Sequence, residues 1–381
     1  MLIVPPVQFL SPHRFVIRLV IIVVAINVVF VIIWNPSLLS SLQLSRAAIN
    51  INDTATVVVL WNTFYGNSVT EYFTDDKIRK CTHRCIFTRN RSMADKSAAI
   101  IFHAHDFDPN DIPPRRDAEQ IWVLLGMESA LHTPKTVLAL NGRINWTITH
   151  RSDADIPYPK FRTLKLSSVI ERLAHRAVPK RFKKKRMAAW FASNCHAPSG
   201  RSEFVRELQK VIDVDVYGAC GHLRCVPAYS HECYEMLSKK YYFYLSFENS
   251  LCRDYVTEKF YYPINYDVVP VVMGSANYSA FSPPRSFIDA LSFVTPQELG
   301  RYMKNIVHTW KNYSSFFKWK GDYTVAEEEQ QAACRLCEKI QSHNYSTKVY
   351  VDIKKWWFDD PKCWTWKPRG DRGFGVGDER N

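Results

Sequence analysis

Between Tyr241 and Phe247 the chain is apolar and aromatic almost without a break, and it then turns abruptly polar at Glu248-Asn249-Ser250. Such a run reads as a buried strand that delivers polar groups to its C-terminal edge, where open α/β sheets place their ligands. A short helix is expected from about Asp254. Tyr255, Glu258 and Lys259 would stand on it at i, i+3 and i+4, so one face carries a phenol, a carboxylate and an ammonium together. A second apolar strand, Val268 to Met273, closes on Gly274. An anionic, hydroxyl-rich ligand such as a nucleotide sugar suits this face.

The same alternation extends upstream. Val57–Trp61, Ala98–His103 and Gln120–Leu125 read as buried strands of a first α/β unit. A second unit begins after the basic run Lys180–Arg186, with strands at Met187–Ser193 and Val214–Tyr217. Between these two strands lies a helix whose inner face is Phe204, Val205, Leu208, Val211 and Ile212. Thr295-Pro296-Gln297-Glu298 opens another helix, with Thr as N-cap, Pro in the first turn and Glu at the capping-box position. Its stripe is Leu299, Tyr302, Met303, Ile306, Val307 and Trp310. Strand alternating with helix in two blocks predicts two Rossmann-like domains facing a cleft. The Trp-rich tail, with Trp356, Trp357, Trp364 and Trp366, is expected to pack back on the body.

Compartment narrows the partners. From Phe15 to Trp34 only Arg18 and Asn27 interrupt the apolar run, and twenty such residues cross a bilayer core of about 30 Å. Arg14 and Arg18 lie at one end, and no Lys or Arg follows until Arg46, so the N-terminus is expected in the cytosol. A cleavable signal peptide has a shorter apolar region with a small-residue site close behind it, which is missing here. Six N-x-S/T sequons, at Asn52, Asn90, Asn145, Asn277, Asn312 and Asn344, agree with a lumenal body. Ten cysteines agree as well, since an oxidising lumen permits disulfides. Cys81, Cys85, Cys334 and Cys337 also have zinc-ligand spacing, the rival reading in a reducing compartment. The net charge of +13 and the basic cluster at Lys180–Arg186 read as a solvated surface run rather than a nucleic-acid site. The expected organisation is a cytosolic tail at 1–14, an anchor at 15–34 and a stem at 35–54. An acceptor-side domain at 55–178, a donor-binding domain at 179–345 and a C-terminal tail at 346–381 follow.

The motifs FENS at Phe247–Ser250, DYVTEK at Asp254–Lys259, VPVV at Val269–Val272 with Gly274, and P-x-SFI at Pro284–Ile288 stand in one order. Upstream come Gln120-x-Trp122-Val123, Met127-Glu128-Ser129, Asn145-Trp146-Thr147, Trp190-x2-Ser193-Asn194-Cys195 and Asp215-x-Tyr217-Gly218. In these motifs and their spacing the chain resembles the α1,3/4-fucosyltransferases, glycosyltransferase family ten. The resemblance implies a GT-B fold behind one N-terminal transmembrane helix, and a single-pass type II protein of the Golgi membrane. The implied reaction moves L-fucose from GDP-fucose to a hydroxyl of a GlcNAc-containing glycan acceptor, with inversion and in α1,3 linkage. No cofactor is implied, no metal site, and no nucleic-acid partner, with a divalent cation such as manganese as at most a stimulator.

By motif position Glu128 is the implied base, and Lys259 the partner of the pyrophosphate. Tyr255, Glu258 and Asn249 hold donor hydroxyls, and Arg201 reinforces a phosphate site at a helix start. His105 stands on the acceptor side, where the family carries Trp or Arg. Cysteines placed like Cys81, Cys85, Cys334 and Cys337 staple the start of the acceptor domain to the C-terminal region in the family; the pairing of the other six stays open. Two departures matter: Ala130 replaces a usual proline after Ser129, which predicts a looser Glu128 loop, and Asp267-Val268 stands where a glycine commonly precedes VPVV. A catalytically silent carbohydrate-binding member, or an enzyme using another nucleotide sugar, are the rival readings. The Asp-x-Asp pairs at Asp106, Asp153 and Asp213 read as loop or strand-end residues.

Overall fold

Val, Ile, Leu and aromatic residues at consecutive positions build the first sheet. Its strands are β1 (Val57–Leu60), β2 (Ile86–Thr88), β3 (Ala99–His103), β4 (Ile121–Gly126), β5 (Trp146–Thr149) and β6 (Ile156–Pro157). All six run parallel in the order β2-β1-β3-β4-β5-β6. Successive side chains point to opposite faces. Val58, Leu60, Ile101, Val123 and Leu125 therefore enter one core, while Val59, Ile100, Phe102, Trp122 and Leu124 enter another. A parallel sheet covered on both faces explains why these strands read as unbroken apolar runs. The computed structural model describes residues 56–67, 73, 78–79, 81–159, 161–168, 184–327, 332–342 and 348–368. The anchor, the stem, Asn52 and Asn344 lie outside them. Among the described residues no helix is long and apolar enough to cross a membrane.

After β7 (Phe161–Lys165) the second sheet follows: β8 (Arg186–Phe191), β9 (Val214–Tyr217), β10 (Tyr241–Phe247), β11 (Val269–Met273) and β12 (Ile288–Asp289). It too is parallel, in the order β12-β11-β10-β8-β9, with the Tyr241–Phe247 strand at its centre. Strand β13 (Tyr323–Glu327) returns to pair antiparallel with β7. Helices α1 (Arg201–Gln209), α2 (His231–Lys240), α3 (Glu258–Ile264), α4 (Pro296–His308) and α5 (Trp310–Ser314) belong with this sheet. Phe204, Val205 and Leu208 of α1 and Leu299, Met303 and Ile306 of α4 share one core with Phe243, Leu245 and Phe247. The Thr295 hydroxyl accepts from the Glu298 N–H at 3.1 Å, as the cap signature predicts. Glu298 reaches back to the Val294 N–H rather than to the cap residue itself. Trp310 starts α5 instead of ending the α4 stripe.

The C-terminal segments cross back over both sheets. Helix α6 (Ala332–Gln341) buries Ala332, Ala333, Leu336 and Ile340 in a first-sheet core, although its sequence position falls within the span 179–345 expected for the second domain. Tyr350, Ile353 and Trp357 cover the opposite face of that sheet. Trp366 then joins the second-sheet core. Its backbone passes so close to Gly200, the left-handed residue opening α1, that a Cβ there would sit 2.0 Å from the Trp366 carbonyl oxygen. Only glycine fits.

All ten cysteines pair: Cys81–Cys334, Cys85–Cys337, Cys195–Cys220, Cys225–Cys233 and Cys252–Cys363. The first two are the implied staples and replace the zinc reading, and they tie α6 to the loop ahead of β2. Two surface expectations change. Lys184, read as part of a solvated basic run, is buried and donates to the carbonyls of Ser238, Tyr241 and Asp267. Asn145, read as a glycan acceptor, is also buried. Its Oδ1 accepts from the Trp122 N–H and from Arg116, and its Nδ2 donates to the Lys348 carbonyl. Asn90, Asn277 and Asn312 are exposed.

Candidate active site

Parallel strands present their C-terminal ends on one side, and the site is assembled there. Strand β4 ends at Gly126 and hands on Met127, Glu128 and Ser129; β5 hands on His150; β10 hands on Glu248, Asn249 and Ser250. Glu128, Tyr255, Glu258 and Lys259 line one cleft, with Tyr65, Met127, His150, Tyr158, Val256 and Thr257. The expected helix from Asp254 begins later, at Glu258, with Thr257 as its N-cap. Asp254 has a φ of +62° and its carboxylate accepts from the Ser152 N–H and hydroxyl, which holds 254–256 out of the helix. Tyr255 thus reaches the cleft from a turn and not from the helix face.

Across the cleft the Tyr255 hydroxyl donates to Glu128 Oε2 at 3.0 Å. Burial, with the Glu128 and Glu248 carboxylates nearby, pushes the phenol well above its ordinary pKa, so it remains a donor. Glu248 is fully buried. It accepts from the Thr257 N–H at 2.8 Å and hydroxyl at 2.8 Å, fixing the start of α3 from below. Burial raises the Glu248 pKa, while Lys259 pulls the other way. Lys259 Nζ sits 2.9 Å from Glu258, 3.1 Å from Thr257 Oγ1 and 3.8 Å from Glu248. Burial works to lower its pKa, but the two carboxylates prevail and raise it, so Lys259 is a fixed cation.

A second tie lies behind Glu128. Ser129 Oγ donates to Ser250 Oγ at 2.7 Å, and His132 Nδ1 lies 3.1 and 3.0 Å from the two hydroxyls. Both serines are fully buried. Burial lowers the His132 pKa, and Arg201 and Lys259 add to this against the pull of Glu128. A neutral ring can accept from one serine. This tie, reaching from the Glu128 loop to the end of β10, holds that loop where Ala130 replaces proline.

Not every expected residue reaches the cleft wall. Arg201 is buried, donates to the carbonyls of Phe247 at 2.8 Å and Asn194 at 3.0 Å, and lies over the Trp190 ring. Among the described residues, its Nε and the Oδ1 of Asn249 are buried without a protein partner. His105 is exposed at the end of β3, with its ring 4.9 Å from that of Tyr65. Glu248, Ser250, His132, His150 and Tyr65 were given no roles by sequence reasoning. Glu248 and Ser250 stood in the FENS motif, but nothing local marks the other three.

Among the described residues no group of three or more His, Cys, Asp or Glu could hold a metal ion. Aspartates of all three Asp-x-Asp pairs accept from protein donors. Asp106 accepts from Thr63 and Gly66, Asp153 from Arg151 and Arg253, Asp155 from Thr147 and Tyr350, and Asp215 from Arg186 and Tyr241.

Comparison with known proteins places the chain in a family. Residues 53–160 match the family model described as Fucosyltransferase, N-terminal, and residues 181–356 match Glycosyltransferase family 10 (fucosyltransferase) C-term. The chain belongs to glycosyltransferase family 10, the fucosyltransferases. It is similar to Alpha-(1,3)-fucosyltransferase C of Drosophila melanogaster, at 33% identity over 79% of this chain and 77% of that protein. Glycoprotein 3-alpha-L-fucosyltransferase A of the same organism is 35% identical over 74% of this chain, which spans 56% of that longer protein. 4-galactosyl-N-acetylglucosaminide 3-alpha-L-fucosyltransferase 9 of Rattus norvegicus is 33% identical over 72% of this chain and 75% of its own length. A crystal structure of an alpha1,3-fucosyltransferase aligns at 16% identity and a TM-score of 0.48, over 78% of this chain and 93% of that one.

Proposed function

We propose that the protein is an inverting α1,3-fucosyltransferase of GT-B architecture that moves L-fucose from GDP-fucose to a GlcNAc hydroxyl. Glu128 is the general base. The observation that carries this is the pairing across the cleft: Glu128 on the first sheet's edge meets Tyr255, with Glu258 and Lys259 on the same wall. An acceptor hydroxyl is a poor nucleophile at neutral pH, and fucosyl transfer builds positive charge at the anomeric carbon. A carboxylate beside both takes the proton and favours that charge. Tyr255 orients it through one hydrogen bond. Lys259 supplies the countercharge for the departing diphosphate, and Glu258 and Asn249 accept from or donate to donor hydroxyls. Arg201 acts by bracing Phe247 and Asn194 at the edge that carries Asn249.

Residues 15–34 are the signal anchor of a type II Golgi membrane protein, and residues 35–54 the stem. Glycosidase treatment of the cell-expressed protein checks the lumenal placement of the body. Turnover persisting in a chelator checks that no metal is required, with manganese at most a stimulator.

The decisive experiment is Glu128→Gln. The amide still accepts from Tyr255 but cannot take a proton. It should fold, bind GDP normally and lose about 10²–10⁴ in turnover. Near-normal kcat on a good acceptor removes Glu128 as the base and turns attention to Asp106 or His105.

A further inference from the structure

Phe64-Tyr65-Gly66-Asn67 forms a tight turn separated from the end of β1 by three residues. Phe64 and Asn67 exchange both backbone hydrogen bonds, at 2.9 and 3.0 Å. Both central residues have positive φ, +49° at Tyr65 and +74° at Gly66. Turns of this kind take Asn, Asp or Gly at the first central position, because a Cβ is disfavoured there. This chain places its bulky tyrosine at that point.

The surroundings hold the turn in place. Asp106 Oδ2 accepts from the Gly66 N–H at 2.7 Å and from the Thr63 hydroxyl at 2.6 Å. The Tyr65 ring meets His103 and Phe64 edge-on, each at 4.8 Å, with His105 at 4.9 Å. The residue is nonetheless 39% exposed, and it lines the cleft that holds Glu128, Tyr255 and Lys259. A strained residue persists where its surroundings over-determine it, and such residues gather at ligand sites.

We propose that Tyr65, seated beside His105 on the first-sheet lip of the cleft, is the platform for the acceptor glycan. Its ring stacks on the C–H face of an acceptor pyranose and so presents the sugar hydroxyl to Glu128. The inference rests on the fucosyltransferase reading above and assigns the acceptor side of that site to a particular residue. The chemistry is that of a flat, rigid aromatic with a polar tip, which covers apolar area at low entropic cost and leaves its hydroxyl to the polar rim. Donor groups are held by the opposite wall, so Tyr65 bears on acceptor affinity and not on GDP.

Steady-state kinetics on Tyr65→Asn and Tyr65→Phe test this, with GDP-fucose and the GlcNAc-containing oligosaccharide that the wild type turns over best. Asn suits the turn, so Tyr65→Asn should unfold at an equal or higher temperature than the wild type. Its acceptor KM should rise by at least about tenfold, which corresponds to 1.4 kcal/mol, while GDP affinity by calorimetry stays put. Tyr65→Phe keeps the ring and should keep the acceptor KM. An unchanged acceptor KM in Tyr65→Asn overturns the platform, as does an equal loss in Tyr65→Phe, which would assign the effect to the hydroxyl. Parallel losses in GDP affinity and acceptor KM would make Tyr65 merely structural. A wild type that turns over GDP-fucose with none of the oligosaccharides defeats the fucosyltransferase reading itself, and this inference with it.

Discussion

Acidification should unfold this protein partly through His103. The residue ends β3 fully covered, with Phe64 tilted over it at 4.1 Å and its Nδ1 3.6 Å from Asp106. Burial lowers its pKa from 6.5 to about 4, against the pull of Asp106 and with a smaller push from His105. In the unfolded chain the imidazole binds its proton as pH falls through about 6.5. The folded protein refuses it until about 4. Between those values the unfolded state binds more protons, so stability present at neutral pH is lost as pH falls. Over a drop from about pH 7 to 4.5 the two-pKa expression yields a loss of about 2 kcal/mol from this one group. His103→Phe keeps a flat ring against Phe64 and Tyr65 and removes the titration. Urea midpoints measured across that range should fall more steeply for the wild type, by about 2 kcal/mol in total. His150, whose pKa burial likewise lowers to about 4, acts in both proteins and cancels from the difference. Parallel stability–pH curves for the two proteins would refute the reasoning.

Other expectations follow from the same geometry. Lys259→Ala should weaken GDP binding by at least about tenfold in calorimetry, since a charged hydrogen bond is worth roughly 1.5–3 kcal/mol; unchanged affinity would contradict its role. Lys184→Ala strands two buried carbonyls and one part-buried carbonyl and should cost about 3 kcal/mol in urea unfolding; a change below about 0.5 kcal/mol, the range of an ordinary surface substitution, would not fit. Glycopeptide mass spectrometry of the lumenally expressed protein should find glycan at Asn90, Asn277 or Asn312 and none at Asn145, whose amide is committed to Lys348.

Where the signal was local, the sequence carried it. Tyr241–Phe247 and Val214–Tyr217 are strands to the residue, and Thr295 caps its helix, because apolar runs and caps are settled within a few neighbours. The misplaced start of α3 came from a partner 102 positions away: Ser152 draws Asp254 into a left-handed turn. Asn145 shows the same limit. Its sequon is a three-residue pattern, while its burial depends on Trp122 and Lys348. In the site, Glu128, Tyr255, Glu258 and Lys259 were legible through their motifs. His132 and Tyr65 were not, since one is defined by a serine from the other sheet and the other by a backbone angle.

The staples between the loop before β2 and helix α6 bear on the order of events during synthesis. The first sheet is translated early, but one of its two cores is closed by α6, and Cys81 must wait for Cys334, 253 residues later. At roughly 5–20 residues per second that interval is about 13–50 s. For that time the sheet lacks α6 over one face and Tyr350, Ile353 and Trp357 over the other, and two thiols are unmatched. A chain made in this way depends on chaperones and oxidoreductases to protect its first half until its last part has emerged, and a truncation near the C-terminus harms the domain made first.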